Sequence, residues 1–165
     1  LRTIRLRPPD WSFDSDEAKA VFGPRTRLLL LNTPHNPTGK VFSRQELSFL
    51  AELCQQWDVV ALTDEVYEHI LFDDAEHVPL ATLPGLWDRT LTISSTGKTF
   101  SMTGWKVGYA IGPAHLNAAL RAVHQFVTFA SATPFQDAMG AAFEEADALQ
   151  QRQQAVSAGT RMRER

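Results

Sequence analysis

The amino-acid sequence predicts an α/β fold: a mostly parallel sheet flanked by helices. Short apolar runs recur at Arg27–Leu31, Val59–Leu62, Thr90–Ser94 and Val107–Ile111, each bounded by turn residues. Between the first two, Leu47, Leu50, Cys54 and Trp57 recur at helical spacing. Unbroken apolar runs of strand length are how strands covered on both faces of a parallel sheet read. Strand and helix in alternation give the layered class.

Each element has a local reason. Leu1 to Leu6 alternates apolar and polar residues like a short strand, and Pro8-Pro9 ends it. A helix is expected from Phe13 to Phe22, with Asp14 or Ser15 as N-cap, Ala18, Val21 and Phe22 on one face, and Gly23-Pro24 as its stop. After the first buried run, Asn32 to Gly39 holds two prolines and must be an extended polar loop. The Asn36–Pro37 bond in it is a candidate cis peptide, since the loop has to turn the Asn amide inward. Ser43-Arg44-Gln45-Glu46 is a capping-box pattern that opens a helix from about Arg44 to Gln56. Tyr67 to Asp88 reads as a short helical or irregular excursion and then a loop. The run from Val107 has Gly108 and Gly112 at its ends, allowing a tight passage. Ala114 to about Phe129 is a helix with Leu116, Leu120, Val123 and Val127 on one side, and Pro134 opens another that runs towards Ala148. Gln150 to Arg165 is rich in Gln and Arg and is expected to be a frayed end.

Composition narrows the function. A formal net charge of -3 and the absence of a basic run leave no electrostatic footprint for nucleic acid or a membrane surface. No apolar stretch reaches the roughly 20 residues of a membrane span, and Leu1 to Asp10 lacks the apolar centre of a signal peptide. The single cysteine, Cys54, lies on the helical stripe, where a core role is expected. It excludes an internal disulfide framework and fits a reducing cytoplasm. A start without Met, inside an expected strand, suggests a piece of a longer protein.

The chemistry sits where an α/β sheet puts it, in the crevice at the carboxyl ends of the parallel strands. Asn36 lies in the loop leaving the first buried strand, Asp64 at the end of the second, and Ser95 and Lys98 just beyond the third. Three strand ends thus bring an amide, a carboxylate, a hydroxyl and an amine to one edge. Pyridoxal 5′-phosphate (PLP) needs such a set. A lysine amine forms an imine with its aldehyde, a carboxylate keeps its ring nitrogen protonated, neutral donors suit its phenolate oxygen, and hydroxyls with a fixed cation suit its phosphate.

The motifs also carry a resemblance. Asn32-Thr33-Pro34-His35-Asn36-Pro37-Thr38-Gly39-Lys40-Val41-Phe42, Thr63-Asp64-Glu65-Val66-Tyr67, and Ser95-Thr96-Gly97-Lys98 with Gly104-Trp105-Lys106-Val107-Gly108 resemble the class I aminotransferases of PLP fold type I. The nearest branch is that of kynurenine aminotransferase, glutamine transaminase K and bacterial methionine aminotransferases. The resemblance spans about Leu1 to Glu145. It implies that residues 1–149 are part of the PLP-binding large domain, that 150–165 form a divergent tail, and that an upstream part and a small C-terminal domain are absent. It also implies that Lys98 is the Schiff-base lysine and proton carrier, that Asp64 pairs with the pyridine nitrogen, and that Asn36 and Tyr67 bond the phenolic oxygen. Ser95 and Lys106 would hold the phosphate, where many relatives have Arg at the second position. Asn36 would also face substrate, and Phe129 matches an aromatic that reaches into the partner subunit's substrate pocket.

The implied reaction is transamination between an L-amino acid (aromatic, sulfur-containing, glutamine or kynurenine type) and a 2-oxo acid, in a homodimer. The isolated chain is expected not to turn over. The alternative is a non-catalytic aminotransferase-like fragment or sensor domain that keeps the fold and, at most, the cofactor site. Taken singly, Asp64 could be a helix cap, Tyr67 core and Lys106 a surface cation. Trp105 is expected to pack the loop. The histidines at 35, 69, 77, 115 and 124 show no metal spacing and are expected to be structural or solvated.

Overall fold

A computed structural model describes residues 1–146. The expected tail from Gln150 to Arg165 lies outside the described residues. The chain opens with a two-stranded antiparallel hairpin, β1 (Leu6–Arg7) and β2 (Ser12–Phe13). The strand expected over Leu1 to Leu6 is therefore a correction: alternation alone gives those residues no pairing partner, and only the last of them joins a ladder. Helix α1 (Ser15–Val21) begins two residues later than expected because Phe13 belongs to β2. Asp14 caps it, accepting from the N–H groups of Asp16 and Glu17 at 2.8 and 2.9 Å. Those bonds hold the Asp14 carboxyl below the usual carboxylate range.

The main sheet has four strands in the order β3 (Leu28–Asn32), β4 (Val60–Asp64), β5 (Thr90–Ser95) and β6 (Gly108–Ile111). The first three are parallel, with Asn32 beside Asp64 and Asp64 beside Ile93. β6 returns antiparallel to β5, pairing Ser95 with Gly108. Its exit is tight. A methyl group on Gly112 would lie 2.8 Å from the Thr90 carbonyl oxygen, so only glycine fits that approach.

Helix α2 (Arg44–Gln56) links β3 to β4 and has the bounds its pattern predicts. The capping box is formed: Ser43 Oγ accepts from Glu46 N at 3.2 Å, and the Glu46 carboxylate accepts from Ser43 N at 2.8 Å. Such a cap contributes about 1 kcal/mol. Its apolar stripe of Leu47, Leu50 and Cys54 is buried against Leu31, Val59 and Ala61, and Trp57 packs at the margin. Burial raises the Cys54 thiol to about 11, so Cys54 is core, as its spacing predicts. Val78, Leu80, Leu83 and Leu86, from the segment before β5, complete this core. That segment is an irregular excursion with single 3-10 turns at Leu80–Thr82 and Trp87–Arg89.

One expectation is overturned on β3. Arg27–Leu31 reads as buried on both faces, yet Leu28 and Leu30 are 53% and 68% exposed while Leu31 is 7% exposed. A strand sends alternate side chains to opposite faces, and β3 is the edge strand of the sheet. One face meets the core around α2, and no described helix covers the other along β3. Beyond the one-turn helix α3 (Thr96–Thr99), helix α4 (Ala114–Val127) matches its predicted stripe but buries none of it: Leu120, Val123 and Val127 are exposed. Among the described residues, helix α5 covers 133 to 146. It lies over the segment from Lys98 to Lys106 that follows β5, through Phe135 stacked on Trp105 at 4.6 Å and Phe143 edge-on to Phe100, and Phe143 also meets Tyr109 of β6 edge-on. Trp105 thus packs the loop, as expected.

Candidate functional site

The carboxyl edge of β3, β4 and β5 gathers the polar residues. Asn32 closes β3 and organises the loop beyond it. Its Nδ2 donates to the Asp64 carbonyl at 3.0 Å, and its Oδ1 accepts from Asn36 N at 2.7 Å. The Asn36–Pro37 peptide is cis, as expected, and so is Thr33–Pro34. The loop closes on itself where His35 N donates to the Lys40 carbonyl and the His35 carbonyl accepts from Gly39 N, both at 2.8 Å. Asn36 is thereby displayed at the open edge, where its Nδ2 donates to the Tyr67 hydroxyl at 3.3 Å.

Asp64 ends β4 half-buried, and one of its carboxylate oxygens accepts from Val66 N at 3.3 Å. The chain then makes a single turn, with Glu68 N donating to the Glu65 carbonyl at 2.9 Å, which brings Tyr67 beside Asn36. Across from it, Ser95 ends β5 and caps a one-turn helix, α3 (Thr96–Thr99), that carries Lys98. Ser95 Oγ accepts from Gly97 N at 3.0 Å, Thr96 Oγ1 donates to the Val107 carbonyl at 3.0 Å, and Thr103 Oγ1 donates to the Gly97 carbonyl at 3.2 Å. Gly97 is so close-packed that a Cβ there would meet both Ser95 Oγ and Thr103 Cα at 3.1 Å. The turn is thus clamped at its base, and Lys98 projects from it exposed, its Nζ 5.6 Å from the centre of the Tyr67 ring. That places a cation within reach of an aromatic face.

The structure therefore brings Asn36, Tyr67 and Lys98 together, with Asp64 three residues before Tyr67 on the strand beside β5. Ser95 lies at the base of the same loop. Lys106, at its far end, is exposed in a left-handed conformation with φ 56. Phe129 stands apart from the described contacts, 81% exposed just past the end of α4. Among the described residues, neither Asp64 nor Lys98 takes part in an ion pair. An amine and a carboxylate left without counter-charges at one edge suit a ligand that carries both an electrophile and a basic nitrogen. A concavity of about 490 Å³ is lined by Asn36 and Tyr67 together with Pro34, Val41, Ile70 and Phe72, and neither Lys98 nor Asp64 lines it.

Sequence reasoning missed three groups. Asn32 gave a signal, standing one residue after the apolar run, but only the sheet register shows that it spans to Asp64. Glu65 is 1% exposed and accepts from His77 Nε2 at 2.8 Å, so His77 is structural and the pair is internal. Glu68 accepts from Ser94 Oγ at 3.0 Å and from the Tyr109 hydroxyl at 3.2 Å. Burial first, and then the Glu68 and Glu65 carboxylates, hold the Tyr109 phenol above its ordinary value, which keeps it a donor. Glu65, Glu68 and His77 bring potential ligand atoms within 4.8 Å of one another, but protein donors engage both carboxylates. Among the described residues no helix is long and apolar enough to cross a membrane.

Comparison with known proteins agrees with this arrangement. A family model described as aminotransferase class I and II matches residues 1–165. Kynurenine–oxoglutarate transaminase 1 of Rattus norvegicus is 54% identical over 135 residues, 82% of this chain and 32% of that protein. Among solved structures, N-succinyldiaminopimelate aminotransferase from Mycobacterium tuberculosis superposes with a TM-score of 0.83 at 46% identity, covering 87% of this chain and 38% of that one. The YbdL protein of Escherichia coli, identified with a methionine aminotransferase function, gives 0.75 at 43% identity, covering 78% and 34%. The chain spans about a third of the length of these relatives. The fold, the motifs and these likenesses agree: the chain belongs to the class I and II aminotransferase family, and its fold is that of PLP fold type I.

Proposed function

We propose that this chain supplies the cofactor-holding part of a PLP-dependent aminotransferase that moves an amino group from an L-amino acid to a 2-oxo acid. One observation carries the reading: Lys98 stands over the Tyr67 ring, Tyr67 bonds Asn36, and Asp64 ends the adjacent strand, with both charged groups free of ion pairs among the described residues. These donors fit the cofactor. Asn36 Nδ2 and the Tyr67 hydroxyl, 3.3 Å apart, are close enough to address one phenolic oxygen together. Asp64 offers the anion for a protonated ring nitrogen, and Ser95 with Lys106 offers a hydroxyl and a cation for a phosphate. When bound, the cofactor supplies an aldehyde that captures amines and a ring that withdraws electrons from the substrate Cα.

The chain's own residues then have distinct tasks. Lys98 is the amine that would hold the cofactor, and its free amine would serve as general base for the proton at the donor's Cα. Its mount on a single clamped turn lets the side chain swing while its root stays fixed. Asn36 is set to face substrate as well as cofactor. Phe129, exposed past α4, is assigned to the substrate pocket of a second subunit, in a homodimer working in the cytoplasm. The donors are aromatic, sulfur-containing, glutamine or kynurenine-type amino acids. Relatives named for kynurenine and for methionine support that range.

The test is PLP added to the full-length protein, followed by borohydride reduction and mass mapping. Label is expected on Lys98, together with 2-oxo acid formation from methionine, glutamine or kynurenine that Lys98→Ala abolishes. Label elsewhere, or activity undiminished in Lys98→Ala, refutes the assignment.

A further inference from the structure

The turn after β4 divides its side chains between two sides. Asp64 and Tyr67, three residues apart, stay half-exposed at the edge. Glu65 is buried, and Glu68, three residues on and half-buried, turns its carboxylate to Ser94 and Tyr109. Glu65 is the more deeply held. Its backbone N–H donates to the Ile93 carbonyl at 2.8 Å, one carboxylate oxygen accepts from His77 Nε2 at 2.8 Å, and the other accepts from Leu80 N at 3.4 Å. The partners come from the far side of the acidic excursion, where Val78 and Leu80 are core. Glu65 therefore ties the end of β4 both to β5 and to a segment twelve or more residues downstream.

A buried carboxylate–imidazole pair is weak evidence for stability, because an apolar pair of similar volume often does as well or better. What it supplies is direction. Two oxygens with two fixed donors set the orientation of the residue between Asp64 and the turn to Tyr67, in a way that packing alone does not. Resting on the function proposed above, we propose that Glu65, pinned by His77, is the positioning residue of this site: it fixes the turn that presents both Asp64 and Tyr67 at the edge where the cofactor would be held. Neither Glu65 nor His77 touches the ring in this scheme. Their effect runs through the geometry of the two residues that do, where displacements of the order of an ångström matter.

The experiment uses the full-length protein and reads PLP dissociation constant and visible spectrum alongside urea stability. His77→Ala, which leaves a Glu65 oxygen without its donor, is expected to weaken PLP binding about tenfold, the low end of what losing an outer partner costs a metal ligand, and to alter the spectrum of the bound cofactor. His77→Gln, whose amide restores a donor, recovers most of both. Val59→Ala, a core truncation in the same cluster, lowers stability yet leaves binding and spectrum unchanged. If His77→Ala does not fold, Glu65→Gln carries the test with the same expected loss. Wild-type binding and spectrum in His77→Ala or Glu65→Gln, or an equal change in Val59→Ala, overturns the positioning role while leaving Lys98 labelling and the proposed function intact. A wild-type protein unlabelled at Lys98 overturns both.

Discussion

Asn32 gives the sharpest test of how the polar carboxyl edge of the sheet is built. Replacing it with Ala removes two hydrogen bonds, from Nδ2 to the Asp64 carbonyl at 3.0 Å and from Asn36 N to Oδ1 at 2.7 Å. At a net 0.5–1.5 kcal/mol each, the loss would be about 1–3 kcal/mol. Two features move it to the lower half. The Asp64 carbonyl keeps its bond from Thr33 N at 3.0 Å, and Asn36 is exposed, so water can take up its freed N–H. We therefore expect about 1–1.5 kcal/mol in stability. The larger effect falls on the ligand. The Asn36 loop loses its only side-chain tie to β3 among the described residues, and PLP binding should weaken about tenfold, the equivalent of roughly 1.4 kcal/mol. Asn32→Asp separates the two bonds. It keeps the acceptor for Asn36 N but sets a carboxylate oxygen against the Asp64 carbonyl in place of a donor, so it should unfold more readily than Asn32→Ala. Urea unfolding and PLP titration of the full-length variants measure both quantities. Unchanged PLP affinity in Asn32→Ala, or Asn32→Asp more stable than Asn32→Ala, refutes the reasoning.

Packing sets four further outcomes. Cys54, with its thiol raised from 9.0 to about 11 by burial, should resist thiol reagents near neutral pH until urea unfolds the protein; labelling at the native-state rate of an exposed thiol would contradict its burial. Because the folded thiol is the weaker acid, its contribution to stability is intact below about 9 and declines as pH rises from there to about 11, which unfolding curves across that range of pH would show. Gly112→Ala should cost about 1–3 kcal/mol by overpacking, since its Cβ would meet the Thr90 carbonyl oxygen at 2.8 Å and Thr90 is fully buried. Gly140→Ala, inside α5 with nothing within 4 Å of the new methyl, should stabilise by about 0.5–1 kcal/mol; equal effects from the two would refute the packing described at Gly112.

The sequence alone determined the local and the periodic. Ser43 and Glu46 define a helix start whatever surrounds them, because the capping box closes within four residues. The stripe of Leu47, Leu50 and Cys54 names its buried face for the same reason. The motif residues Asn36, Asp64, Ser95 and Lys98 could be assigned to one edge because parallel strands deliver their ends to a common side. What the sequence did not decide needed partners far along the chain. Leu28 and Leu30 look as apolar as Leu31, and only strand order and the position of α2 leave them exposed. Leu1 to Leu6 alternates as a strand does, but a strand exists only where a neighbour supplies hydrogen bonds. Asn32, Glu65 and His77 are ordinary polar residues in the sequence, and their roles appear when β3, β4 and the segment before β5 are packed side by side. A hydrogen bond across 32 residues, or a buried pair across 12, is a property of the tertiary structure, because the geometry that makes it does not exist until the sheet does.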